Sequence, residues 1–139
     1  MPLSNKEKVE LLRRIPLFAE CSKAELTEVA ISSDEREVPE GDRLTEEARP
    51  GREFFILVEG SVDVRRGGKK LGDLGAGDWF GEMAILRYKP RAATVTATST
   101  VRALVLSDRD FRQVVETTPR IALKVLQRVA QRLDNDAHS

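Results

Sequence analysis

Between residues 35 and 107 the chain consists of short apolar runs cut by glycine and proline, and no other feature restricts its fold as much. Phe54-Phe55-Ile56-Leu57-Val58 reads as a buried strand that stops at Glu59-Gly60. Val62 and Val64 alternate with Asp63 and Arg65, the period of a half-buried strand. Gly67-Gly68, between Arg65-Arg66 and Lys69-Lys70, signals a hairpin turn. Leu71 and Leu74 lead into Gly75-Ala76-Gly77-Asp78, and Thr94 to Ala97 and Val101 to Leu106 give two more β-rich runs. Short strands at intervals of roughly ten residues predict an antiparallel β-roll or jelly-roll barrel.

Helical periodicity flanks this region. Ser4 caps a first segment in which Leu11, Leu12 and Ile15 share a face before Pro16-Leu17-Phe18 bends the chain. Ser22 with Glu25 forms a capping box ahead of Leu26, Val29 and Ala30. Beyond Ser107 and Asp108, Phe111, Val114 and Val115 share a face. Thr118-Pro119 then opens a helix whose stripe is Ile121, Ala122, Val125, Leu126, Val129 and Leu133. The expected class is mainly β with flanking α, in one unit. It comprises N-terminal helices over 1–34, a β-roll over 35–107, two C-terminal helices over 108–134, and a polar tail from Asp134 to Ser139.

Composition removes several functions. The 139 residues carry 23 Lys+Arg and 23 Asp+Glu, a balance without the basic excess of a nucleic-acid binder. One histidine, His138, cannot supply the clustered ligands of a cupin-type oxygenase or a metal-dependent phosphodiesterase, so no enzyme and no metal cofactor are expected. Cys21 stands alone, with no disulfide partner and no histidine to activate it. No apolar run approaches the roughly 18 residues of a membrane span, and Met1 to Lys8 lack a signal-peptide core. The expected compartment is the cytoplasm.

The chemistry concentrates between Gly77 and Ala97. Met83 to Leu86 is long enough only for a short helical turn started by Phe80-Gly81-Glu82, and such a start points backbone N–H groups outward, toward an anion. Pro90 fixes the approach to Arg91, whose planar fork suits a phosphate, and the small Ala92 and Ala93 allow close contact. Alone, Arg91 would be an ordinary surface residue and Glu82 a helix-start acid; together, at this spacing, they favour a ligand.

Phe80-Gly81-Glu82-Met83-Ala84 followed by Pro90-Arg91-Ala92-Ala93-Thr94-Val95 resembles the phosphate-binding cassette, here residues 80–95, of cyclic nucleotide-binding domains. Such domains occur in kinase regulatory subunits, the catabolite activator protein and cyclic-nucleotide-gated channels. The resemblance extends to Val38-Pro39-Glu40-Gly41, Phe54-Phe55-Ile56 and Leu74-Gly75-Ala76-Gly77-Asp78. It implies that Arg91 pairs with a cyclic phosphate and Glu82 accepts from the ribose 2′-hydroxyl. Backbone N–H groups of Gly81 and Ala92 would serve the same ligand, with Phe80, Met83, Ala84 and Ala93 completing the cassette. Ala92, where the family uses Thr or Ser to favour guanine, implies cyclic AMP over cyclic GMP. Two departures stand out. The family's Gly-Asp-x-Gly-Asp is Ala48-Arg49-Pro50-Gly51-Arg52 here, so a turn glycine is Ala48, and an acid that helps orient the cassette arginine is Arg52.

Other features have simpler readings. Trp79 and Tyr88 could stack on a purine, but a barrel residue and a surface aromatic are the plainer roles. The Arg65-Arg66 and Lys69-Lys70 cluster reads as a solvated hairpin tip. The C-terminal stripe faces the core first. Its secondary uses are a homodimer seam or a lid with Arg128 and Arg132 capping the base. The expected function is a cyclic-nucleotide sensor that signals through its C-terminal helices to an effector the sequence does not name. The alternatives are a degenerate domain kept for protein contacts, or the sensor fragment of a longer channel, kinase or transcription regulator. With Ser139 last, no helix-turn-helix is expected within this chain.

Overall fold

A computed structural model describes residues 2–138, with side chains described for 2–132. Helix α1 (Asn5–Arg13) and α2 (Lys23–Ser32) each begin with a capping box, Ser4 with Glu7 and Ser22 with Glu25. A 3₁₀ turn at Pro16–Phe18 joins them. The end of α2 is closed by Lys8 of α1, which is buried and donates Nζ to the Ser33 carbonyl at 2.7 Å and to that of Ala30 at 3.3 Å. These carbonyls have no helical donor, so a lysine with a long apolar stem closes the helix where a glycine often would.

Eight strands follow: β1 (Asp34–Val38), β2 (Arg43–Thr45), β3 (Glu53–Glu59), β4 (Ser61–Arg66), β5 (Lys69–Gly75), β6 (Trp79–Phe80), β7 (Thr94–Ala97) and β8 (Val101–Ser107). They form two antiparallel sheets, ordered β1-β8-β3-β6 and β2-β7-β4-β5. Arg66 pairs with Lys69 across the Gly67-Gly68 turn, as the sequence predicts. The two shortest strands, β2 and β6, give no periodic signal of their own.

The uninterrupted run in β3 has a structural cause. Phe54, Ile56 and Val58 face the helices, in one core with Leu12, Leu26, Trp79, Leu104, Leu106 and Phe111. Phe55 and Leu57 face the other sheet, in a second core with Val62, Phe80, Val95, Val101, Ala103 and Val105. A strand buried on both faces needs apolar side chains at every position, whereas β4, half exposed, keeps the alternation.

Helix α3 (Glu82–Arg87) follows β6 and buries Ile85 in the helical core, and α4 (Asp108–Thr117) and α5 (Pro119–His138) pack on the same side. Ser107 caps α4 by accepting from the Asp110 N–H at 3.1 Å. Thr118 ends α4, its N–H donating to the Val114 carbonyl, while its own carbonyl accepts from Ile121 and Ala122 in the first turn of α5. α5 runs past the expected limit of 134; the side chain of Leu133, His138 and the tail's side chains lie outside those described.

One expectation for α5 is corrected. Ile121 and Val125 are buried and Val129 packs against the core, but Leu126 is 63% exposed. Leu126 lies about 100° from Val125, and the core contact is narrow, so the helix presents it to solvent beside the exposed Leu123. Phe111, its ring tilted against Phe54 with centroids 4.5 Å apart, anchors α4 instead. Phe111→Ala should therefore cost about 3–5 kcal/mol in chemical denaturation, against at most about 0.5 kcal/mol for Leu126→Ala. A comparable loss at both positions would place Leu126 in the core.

Candidate functional site

The segment from Phe80 to Ala93 forms one wall of a cavity of about 970 Å³. Gly81 opens α3 at φ 103°, a conformation that favours glycine. Crowding imposes a second requirement there: a Cβ at position 81 would lie 2.4 Å from the Glu53 carbonyl and 3.1 Å from Arg91 Nη1. The bare backbone lets β3, α3 and Arg91 meet at one point.

Arg91 is only 7% exposed. Its Nη2 donates to the Glu53 carbonyl at 3.1 Å and its Nη1 to the Gly81 carbonyl at 3.4 Å. Its Cζ lies 5.6 Å from the centroid of the Phe55 ring. Burial pushes the guanidinium pKa down from its ordinary value, opposed by the charges of Glu53 and Glu82. The backbone of Arg91 is held as firmly as its side chain. Its N–H donates to the Arg49 carbonyl and its carbonyl accepts from the Ala48 N–H, both at 2.9 Å. Gly51 brings the same loop against the guanidinium, since a Cβ there would sit 2.8 Å from Nε.

Glu82, the first residue of α3, is fully buried. Its Oε1 accepts from Arg132 Nη1 of α5, while its buried Oε2 has no hydrogen-bond partner among the described residues. Burial pushes the carboxyl pKa up from its ordinary value, and Arg132 pulls in the opposite direction. Arg132 also donates to the Trp79 carbonyl at 3.4 Å, and Arg128 Cζ lies 5.0 Å from the Trp79 ring centroid. The stretch of α5 that carries Arg128 and Arg132 is thereby tied to the start of the cassette.

Phe80, Gly81, Met83, Ala84, Arg91, Ala92 and Ala93, all anticipated from sequence, line the cavity, and Arg128 and Arg132 line it from α5. Glu82 lies behind the wall and is not among the lining residues. Phe80 stacks on Phe55 with centroids 4.8 Å apart, so it belongs to the roll's core as well as to the wall. Trp79 is buried in the helical core and Tyr88 is on the surface. Arg66, Arg87 and Lys89 also line the cavity and were not anticipated. Arg66 is exposed beside the hairpin turn, as expected, and its Nε also donates to the Ala92 carbonyl at 3.1 Å. Only the register of β4 beside β7 brings the two together, and no local pattern signals it. Arg52, which replaces an acid of the family pattern, turns away to Asp108 and Tyr88, and the two carbonyls take over the orienting of Arg91. Among the described residues no group of three or more His, Cys, Asp or Glu could hold a metal ion.

A family model described as the cyclic nucleotide-binding domain matches residues 35–118, more than half of the chain. A cyclic nucleotide-gated potassium channel of Mesorhizobium japonicum is 38% identical over 113 residues, covering 81% of this chain and 31% of the channel. A cAMP-dependent protein kinase regulatory subunit of Mycosarcoma maydis is 37% identical over 115 residues, covering 76% of this chain and 22% of the subunit. Among solved structures, cAMP-bound PfPKA-R superposes with a TM-score of 0.85 at 25% identity, over 94% of this chain and 45% of that one. The chain belongs to the cyclic nucleotide-binding domain family, a family of regulatory ligand-binding modules. It spans about a third or less of the length of these curated relatives.

The loop that holds Arg91 carries strain. Ala48 adopts φ 68°, in the left-handed region. A left-handed alanine carries a steric cost of about 1–2 kcal/mol, part of which is offset by its lower chain entropy relative to glycine. Ala48→Gly should raise the unfolding free energy by about 1 kcal/mol in chemical denaturation. A loss of stability would show that the side chain contributes packing that outweighs the strain.

Proposed function

We propose that the cavity receives a 3′,5′-cyclic nucleotide, preferentially cyclic AMP, and that the chain is a sensor module without catalysis. One observation carries the reading: a buried guanidinium lines the cavity, and in the same cassette a fully buried carboxyl keeps an oxygen with no hydrogen-bond partner among the described residues. A cyclic phosphodiester bears one negative charge beside a neutral ribose hydroxyl. Arg91 answers the charge with a forked donor, and the backbone N–H groups of Gly81 and Ala92 add donors. Glu82 would repel a phosphate, but its Oε2 has no donor among the described residues, and a 2′-hydroxyl would supply one. The names of the relatives, a cyclic nucleotide-gated channel and a cAMP-dependent kinase subunit, support the same ligand class and suggest a sensor serving a larger effector in the cytoplasm. Among the described residues no helix is long and apolar enough to cross a membrane.

Transmission through α5 follows from the same carboxyl. Arg132 holds Oε1 of Glu82, so the residue that would read the ribose is already tied to the C-terminal helix. Occupancy of the cassette and docking of α5 would then bias one another, and the effect is reciprocal by linkage. Arg128, over Trp79, is placed to cover a base entering from the cavity.

Calorimetric titration tests the assignments. Arg91→Ala should lose about 2–4 kcal/mol of cyclic AMP affinity, more than Glu82→Ala, because it answers a formal charge. The 2′-deoxy analogue should bind more weakly than cyclic AMP to the parent and equally to Glu82→Ala. Ala92→Thr should improve cyclic GMP by roughly tenfold or less, the worth of one hydrogen bond, and leave cyclic AMP nearly unchanged. Absence of binding by the parent at millimolar cyclic AMP and cyclic GMP would overturn the ligand class.

A further inference from the structure

At the far end of α3, away from the anion-binding start of the cassette, Tyr88 ends the helix in the left-handed region at φ 52°. A residue with a Cβ resists that conformation, so something must hold it there. The ring is 59% exposed, yet two guanidinium groups lie over it: Arg52 Cζ is 4.3 Å and Arg112 Cζ 4.9 Å from its centroid. Arg112 reaches further. Its Nη2 donates to the Ile85 carbonyl at 2.8 Å, and its Nε donates to Asp108 Oδ1 at 2.5 Å. Ile85 is in the last turn of α3, where carbonyls have no helical donor. Arg52 Nη1 lies 3.9 Å from the other oxygen of Asp108, the first residue of α4. Three elements far apart in sequence thus meet at one cluster: the cassette's end, the residue just before β3, and the first turns of α4.

We propose that Tyr88, Arg52 and Arg112 form a clamp that fastens the cassette helix to α4, so that α4 follows the cassette when it moves. Arg112 is the positioning residue. Its planar fork spans a carbonyl and a carboxylate while its face covers the ring, which a lysine's single ammonium cannot do. The fold of α4 does not depend on the clamp. Phe111 and Val114 bury its other face against β3 and the helical core, and Asp108 sits at the helix start, where the dipole favours an acid. Each link is partly or largely exposed and individually weak, and together they oppose displacement without adding to the core. The proposal rests on the ligand reading above for what moves the cassette, whereas the fastening exists in the ligand-free chain.

Amide hydrogen exchange of the full chain separates the two. The proteins are the parent, Arg112→Lys and Tyr88→Asn; asparagine tolerates the left-handed backbone while removing the ring. Without nucleotide, both variants should exchange about fivefold faster than the parent over 83–89, while Phe111 to Val114 stays as slow as in the parent. With saturating cyclic AMP, the parent should gain protection in the first turns of α4, and the variants only in the cassette. Affinity should change by less than about threefold, because no clamp residue faces the ligand site. Parent-like exchange over 83–89 in both variants would overturn the clamp. So would an undiminished response of α4 to nucleotide in the variants. A parent that answers neither nucleotide overturns the ligand reading, and the ligand-free comparison still decides the fastening.

Discussion

Arg91 and Glu82 lie almost entirely out of water, and a buried ionisable group is tolerated only where the protein supplies compensating partners. Much of the surrounding geometry supplies them. The positive φ of Gly81 turns its carbonyl, and the end of β3 brings the Glu53 carbonyl, to the two donors of Arg91. The loop through Ala48 and Arg49 clips the Arg91 backbone from both sides, with Ala48 strained to do so. Arg132 comes from α5 to meet Glu82. Compensation is incomplete, because Glu82 Oε2 keeps no partner among the described residues. In the proposed function, the ligand supplies a donor to the carboxyl and an anion to the guanidinium.

The same constraint explains why the roll is built around β3. That strand separates two cores, one shared with the helices and one with the opposite sheet, and its first residue provides a carbonyl to the site. A strand packed on both faces has little freedom to shift. The cassette buries Ile85 in the helical core and is joined to the helices by polar contacts on either side of it: Arg132 to Glu82 at its start and Arg112 to the Ile85 carbonyl at its end. Rigidity on one side and exchangeable polar contacts on the other are what a ligand-responsive element needs.

Much of this was legible in the residues. The two capping serines, the Gly67-Gly68 hairpin and the β3 run each have a local cause, so a local pattern reveals them. The cassette was legible because its residue types recur at a spacing specific to a family. The contacts that complete the site were not legible for a common reason, which is that their partners are far apart in sequence. Arg132 and Glu82 are separated by 50 residues, and Arg112 and Ile85 by 27. Nothing in the sequence chose between Arg132 over a base and Arg132 on a carboxyl. Leu126 followed a stripe that periodicity drew too wide, because the core touches only the narrow line through Ile121 and Val125. At Ala48 and Arg52 the departures from the family pattern were visible, but their consequences, a strained turn and a redirected arginine, required the fold.

In the proposed function, Arg91 changes partner on binding, from the Glu53 and Gly81 carbonyls to a cyclic phosphate. Nitrogen-15 NMR of the arginine side chains reads that change directly, with the Arg91 signal assigned by its loss in Arg91→Lys. On titration with cyclic AMP, the Arg91 Nε–H resonance should shift in step with calorimetric saturation. Saturation with the Arg91 resonance unmoved would contradict it, and would place the phosphate elsewhere in the cavity.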